Sequence, residues 1–343
     1  MANVNVFGLT VNYMSEPCGM DSLPRFSYKI SSDVRGDGQL SRRICVYSDA
    51  EHKNTVWDEG EIKTKDQLFI PYGGEKLLPV TKYYFTVTVK TESGCEAAGE
   101  SCFVTGKLCE RWSGKWITAQ YVRRENDAFG AVYLRKSFDI EKPVKEAYLS
   151  ICGLGYFESR INGEKTGDDI LSPAFTEFSK TDMYMTYDVK KLISQGKNAI
   201  SVILGNGWYN CFAEDPWNTR AATWRHWPKM ICELKLTYDD GTSEKIVSDT
   251  TWKGGKGPIF FNGIRNGEHY DARLELGNWE SADYDDSAWK NTKIVKSPGG
   301  VLCAMELPPI KVYKTFSPKK IWKTKNGYAM DFGQNMAGFC EYV

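Results

Sequence analysis

Strand signals dominate the pattern of apolar and polar positions. Met230, Cys232, Leu234, Leu236 and Tyr238 alternate with more polar neighbours, as one buried face of a strand requires. That run ends in Asp239-Asp240-Gly241-Thr242, a hairpin-type turn. Gln67–Tyr72 and Lys82–Val89 are rich in β-branched and aromatic residues, with turn residues between them. Tyr156–Ile161 runs into Asn162-Gly163, a pair suited to the positive φ angles of a type I′ turn. Helical periodicity is scarce. Its clearest instance is short, with Asp188 capping Val189–Ser194 and Gly196 stopping it. The pattern predicts an all-β chain with no long amphipathic helix.

Turn spacing divides it into a small sandwich over residues 1–108, a second β unit over 109–300, and a tail over 301–343. Cys109–Trp116 reads as the linker into the second unit and Ser297–Gly300 as its end. The tail is too short for a core of its own. It either adds strands to a preceding sheet or begins a further domain. A length of 343 residues suits two or three domains.

Composition narrows the function classes. Lys+Arg and Asp+Glu both number 44, so no basic excess favours nucleic acid or an anionic membrane. No apolar run reaches the ~18 residues of a membrane span. The first residues lack the basic and apolar segments of a signal peptide. Ten cysteines fall mostly inside apolar runs without Cys-x-x-Cys spacing, as buried thiols of a reducing compartment would. A cytoplasmic location is therefore expected. Three histidines leave little room for a triad or a histidine metal site, whereas 13% aromatics favour packing or sugar contact.

Three stretches carry candidate chemistry. Asp168 and Asp169 are adjacent carboxylates on a loop, read first as solvated loop acids and otherwise as like charges that a cation or basic side chain neutralises. Calcium prefers such oxygens, although one pair falls short of its six to eight ligands. The long connection after Ala199–Leu204 holds Trp208, Trp217, Trp224 and Trp227. With Asn206, Tyr209 and Asn210 it offers flat faces and polar groups to a sugar, or else it plugs the sandwich end or docks a neighbouring domain. Glu268, Asp271 and Arg273 form a third group, read as an ion-paired structural or docking network in preference to a glycosidase acid and base.

The ordered motifs carry a resemblance. Pro24–Tyr28, Gly153–Glu158 with Ile161-Asn162-Gly163, Leu171–Thr176, Tyr184–Val189, Leu204–Tyr209, Gly267–Arg273 and Asp331–Gly338 cover nearly the whole chain. Together they resemble the amino-terminal part of bacterial α-L-rhamnosidases of glycoside hydrolase family 78. The resemblance implies a fibronectin-like sandwich, then a galactose-binding-like jelly roll, then the first strands of a further β domain. It also implies that terminal α-L-rhamnose is hydrolysed elsewhere, in a helical (α/α)₆ barrel, by an inverting acid–base pair. Inverting carboxyls lie roughly 6.5–9.5 Å apart.

The chain is accordingly expected to be a truncated, non-catalytic fragment whose partners are that absent barrel and L-rhamnose or a rhamnosylated glycan. Some relatives use the second sandwich as a calcium-dependent rhamnose-binding module. Their metal-holding Asp-Asn pair corresponds to Asp168 and Asp169, with Asp169 in place of Asn. That reading makes Asp168 and Asp169 metal ligands; with the tryptophan-rich connection added, the sugar-binding candidates are Asp168, Asp169, Asn206, Trp208, Tyr209 and Trp217. A third alternative is an autonomous glycosidase using Glu268 and Asp271.

Overall fold

A computed structural model describes residues 3–123 and 129–341, and within them the period-two pattern becomes two β-sandwiches. In the first, Val4–Val11, Arg25–Ser32 and Ile70–Pro71 form one sheet. The facing sheet runs Cys18–Met20, Glu96–Thr105, Lys82–Thr91, Gln39–Tyr47, Thr55–Asp58, with Ile62–Lys63 also paired to Gln39–Tyr47. Lys82–Thr91 shows why these residues form a strand. Tyr83, Phe85, Val87 and Val89 point inward onto Phe26, Ile44 and Phe103, and the residues between them face out.

The second sandwich packs two six- to seven-stranded sheets. One is ordered Lys293–Ile294, Ile117–Thr118, Lys229–Tyr238, Val144–Leu154, Thr181–Asp188, Val301–Ala304, with Ser243–Val247 on Lys229–Tyr238. The other is ordered Glu164–Lys165, Tyr156–Ile161, Gly196–Gly205, Val132–Ile140, Lys253–Gly255, Lys290–Asn291. Leu149, Ile151, Leu234 and Leu236 meet Leu134, Ile200, Val202 and the fully buried Trp252 between them. The chain crosses from one sheet to the other at Gly155. A Cβ there would lie 2.0 Å from the Asn206 carbonyl oxygen, so only glycine fits.

The sandwich extends past the expected boundary at residue 300. Gly299 turns the chain at φ +113°, and Val301–Ala304 then pairs in parallel with Thr181–Tyr184. The separate hairpin Lys320–Thr324/Gly327–Asp331 follows. The predicted helix after Asp188 is one turn of 3₁₀ helix, Lys190–Leu192, with Asp188 accepting from the Lys190 N–H at 3.2 Å.

A polar joint locks the two sandwiches together. The buried Lys107 ammonium meets the buried Glu233 carboxylate, and Glu233 also accepts from the backbone N–H of Ser113 and Gly114. Glu110 bridges Lys107 and Lys245. Asp21 of the first sandwich accepts from Leu108 N (2.6 Å), the Tyr184 hydroxyl (2.7 Å) and Ala304 N (2.7 Å). Gly19, at φ +90°, lets the first sandwich approach Thr186, where a Cβ would fall at 2.6 Å.

Candidate functional site

The Asp168–Asp169 loop leaves the Tyr156–Ile161/Glu164–Lys165 hairpin and meets the tail. Asp168 Oδ1 lies 2.6 Å from Lys311 Nζ, and this ammonium holds the carboxyl below the usual carboxylate range. Asp169 Oδ2 accepts from the Tyr187 hydroxyl at 3.1 Å. The cleft between Phe157, Thr166, Gly167, Asp169 and Tyr187 encloses about 10 Å³, the scale of one water molecule. Calcium takes six to eight oxygens. Here one carboxylate is ion-paired, the other holds a phenol, and no three His, Cys, Asp or Glu side chains cluster as metal ligands among the described residues. The residues present do not fit calcium.

The tryptophan-rich connection is anchored from within. Asn206 donates its amide N–H₂ to Phe129 O (3.1 Å) and Asn262 O (2.9 Å), and its oxygen accepts from Asn210 at 2.7 Å. Its own backbone N–H reaches Asn262 Oδ1 at 2.8 Å. Tyr209 packs edge-on to Phe178, with centroids 5.2 Å apart, and lies beneath Lys229. Asn206 and Tyr209 are each 0% exposed, so the expected sugar contacts at these two positions are corrected: both side chains build the interior.

Trp208 and Trp217 differ from them. The Arg265 guanidinium lies 5.6 and 5.1 Å from their ring centroids, and Trp217 is 71% exposed. Trp208 also meets Phe175 at 5.6 Å, which extends the aromatic surface. Asp215 is an internal turn group rather than a ligand, accepting from Trp217 N and Thr219 N at 2.8 and 3.3 Å.

The third group lies on and after the Ile259–Gly263/Gly267–Tyr270 hairpin. Glu268 is exposed, opposite Asn262. Asp271 accepts from the Arg273 side chain at 2.8 and 2.6 Å and caps the next turn through Arg273 N. Arg273 keeps the Asp271 carboxyl below the ordinary range, the opposite of what a general acid needs. An ion-paired surface turn is thus what Asp271 and Arg273 form.

Sequence reasoning missed the interior charges. Asp182 is fully buried on the same strand face as Tyr184 and Thr186, and neither of its oxygens has a hydrogen-bond partner. Burial pushes its carboxyl up to about 7. Lys229, also buried, donates to Lys296 O at 3.0 Å, and burial pulls its ammonium down to about 8. The available signal was an acid in phase with the buried positions of Thr181–Asp188.

Two family models match. Residues 6–109 match the Rha78A-like, N-terminal immunoglobulin domain, and residues 142–314 match the alpha-L-rhamnosidase N-terminal domain. An alpha-L-rhamnosidase of Formosa agariphila is 36% identical, with 96% of this chain and 38% of that protein covered. One from an Alteromonas species is 30% identical over 93% of this chain and 36% of its own length. The solved alpha-L-rhamnosidase from Dictyoglumus thermophilum superposes with a TM-score of 0.85 at 36% identity, covering 96% of this chain and 38% of that one. The chain therefore spans less than two fifths of these relatives.

Proposed function

Because this chain belongs to the family of α-L-rhamnosidase amino-terminal domains, we propose that it is the accessory β platform of such an enzyme, carrying a catalytic module that removes terminal α-L-rhamnose from a glycan. The reading is supported by one contrast above all. Charges between the two sandwiches are buried and paired, while Phe260, Tyr270, Leu274, Trp322 and Tyr328 lie open on loops and hairpins further along. Exposed apolar side chains of this kind suit the packing of another body. The ion-paired Asp271 argues against cleavage by Glu268 and Asp271.

All ten cysteines are free thiols, which favours a reducing compartment. No helix among the described residues is long and apolar enough to cross a membrane.

An aryl α-L-rhamnoside tests the platform reading. The chain alone is expected to leave it intact, and the same chain continued through a helical catalytic module to hydrolyse it. Turnover by the chain alone that disappears in Glu268→Gln or Asp271→Asn contradicts the proposal.

The exposed Trp217 beside Arg265 favours a second, metal-independent reading, in which this face touches a rhamnosylated glycan. A shallow site of this kind binds in the millimolar range, about −4 kcal/mol. Titration calorimetry with L-rhamnose should then give heat that Trp217→Ala removes. Absence of heat at millimolar sugar ends that reading.

A further inference from the structure

We infer that Lys311 is the cation of the Asp168–Asp169 loop: the chain closes this loop with its own ammonium, and the loop takes no calcium. The inference concerns the chain's own side chains and stands whether or not the platform carries a rhamnosidase module.

Residues 301–311 do not wander. Val301–Ala304 is a strand on Thr181–Tyr184, and Met305 N continues the contact by donating to Tyr184 O at 2.9 Å. The next residue, Glu306, reaches the first sandwich and accepts from Asp21 N and Ser22 N, each at 2.8 Å. Ile310 O then accepts from Ile170 N at 2.9 Å, and Lys311 forms a β-bridge with Asp169. Lys311 is thus delivered to the loop by backbone pairing, so its 2.6 Å contact with Asp168 is fixed by the fold rather than by a chance meeting of two long side chains.

Two adjacent carboxylates repel, and a positive neighbour relieves that repulsion. Lys311 Nζ meets Asp168 directly, and the Tyr187 hydroxyl donates to Asp169. A divalent ion within coordinating distance of Asp168 would sit against the ammonium and would find Asp169 turned to the phenol. No third His, Cys, Asp or Glu side chain joins the two among the described residues to supply the further oxygens that calcium requires. The loop therefore serves as a clasp. It fastens the exit segment of the second sandwich and so sets the direction in which the chain continues toward the Lys320–Asp331 hairpin.

The experiment is a carboxyl titration by NMR on the full 343-residue chain with ¹³C-labelled aspartate, the Asp168 signal being assigned by its loss in Asp168→Asn. In the native protein Asp168 should titrate below the ordinary aspartate range. Its signal should be unmoved by ~5 mM calcium, well above the ~10⁻³ M dissociation constant of weak calcium modules. In Lys311→Met its titration should return to the ordinary range. A saturable calcium-induced shift of the Asp168 signal in the native chain overturns the inference. So does a Lys311→Met protein, folded by its remaining carboxyl spectrum, in which Asp168 titrates as before. Should Lys311→Met fail to fold, Lys311→Arg supplies the second variant, and it must keep the depressed titration.

Discussion

The second sandwich has two flanks, and they handle exposed surface in opposite ways. Toward the first sandwich, Lys107 and Glu233 are 2% and 3% exposed, and Glu233 gains two backbone N–H donors besides the ammonium. Toward the tail, the Lys320–Asp331 hairpin leaves Ile321 54% and Tyr328 70% exposed, with both of its strands open to solvent. A two-stranded hairpin is marginal in water without a packing partner. One flank is a finished interface, in which desolvated charges are repaid by pairing. The other leaves large apolar side chains in solvent, on the side where the proposed catalytic module would pack.

The largest test of this contrast breaks the finished flank. Lys107→Met leaves Glu233 buried with only the Lys245 ammonium at 3.8 Å and its two backbone donors, so the loss should approach, without exceeding, the about 3–5 kcal/mol of a broken buried pair. Urea unfolding should show that loss, together with earlier exposure of Trp112, whose ring lies 5.1 Å from the Lys107 ammonium. The matching change on the open flank, Tyr328→Ser, should leave the unfolding midpoint unchanged while reducing self-association in sedimentation. Next in size is Gly155→Ala, which forces a methyl onto Asn206 O and should cost roughly 1–3 kcal/mol by overpacking.

A smaller effect follows from the buried interior charges Asp182 and Lys229. With Asp182 at about 7 against 3.8 when unfolded, the native state holds more protons over that span, so stability falls as pH rises from about 4 to about 7. Lys229, at about 8 against 10.5, acts in the other sense, and stability climbs from about 8 to about 10.5. The pair therefore contributes a stability minimum between about 7 and 8. Asp182→Asn should flatten the acid-side limb, so that unfolding at pH 4.5 and 7.5 differs less than in the native chain. An undiminished difference would assign that limb to other groups. Smallest is Arg273→Gln, an exposed partner at 89%, for which no change in thermal midpoint is expected.

The strands were legible because their signal is local. Alternation in Lys82–Thr91 and Lys229–Tyr238 needs only a side-chain period of two, and the Asn162-Gly163 turn only a preference for positive φ. The ordered motifs located the family, and the fold connects two of them: Gly155 of one lies with its backbone against the carbonyl of Asn206 in the other. What escaped was set by distant pairing. Asn206 and Tyr209 carry polar atoms and lie between tryptophans, which mimics a sugar site, but only the tertiary structure shows them facing Asn262 and Phe178. Lys311 stands 143 positions after Asp168, beyond the reach of any local spacing rule. That Val301–Ala304 joins the sheet of Thr181–Tyr184 was one of two alternatives for the tail, and only the structure selects it, because a parallel strand partner leaves no local trace.

Hydrogen–deuterium exchange tests the open flank most directly, comparing this chain with the same chain continued through a helical catalytic module. The account predicts that Ile259–Tyr270 and Lys320–Asp331 exchange more slowly in the longer protein, while Lys229–Tyr238, already enclosed, is unchanged. Equal exchange at both hairpins in the two proteins would contradict it, because nothing would then be packing on the surface this region holds open.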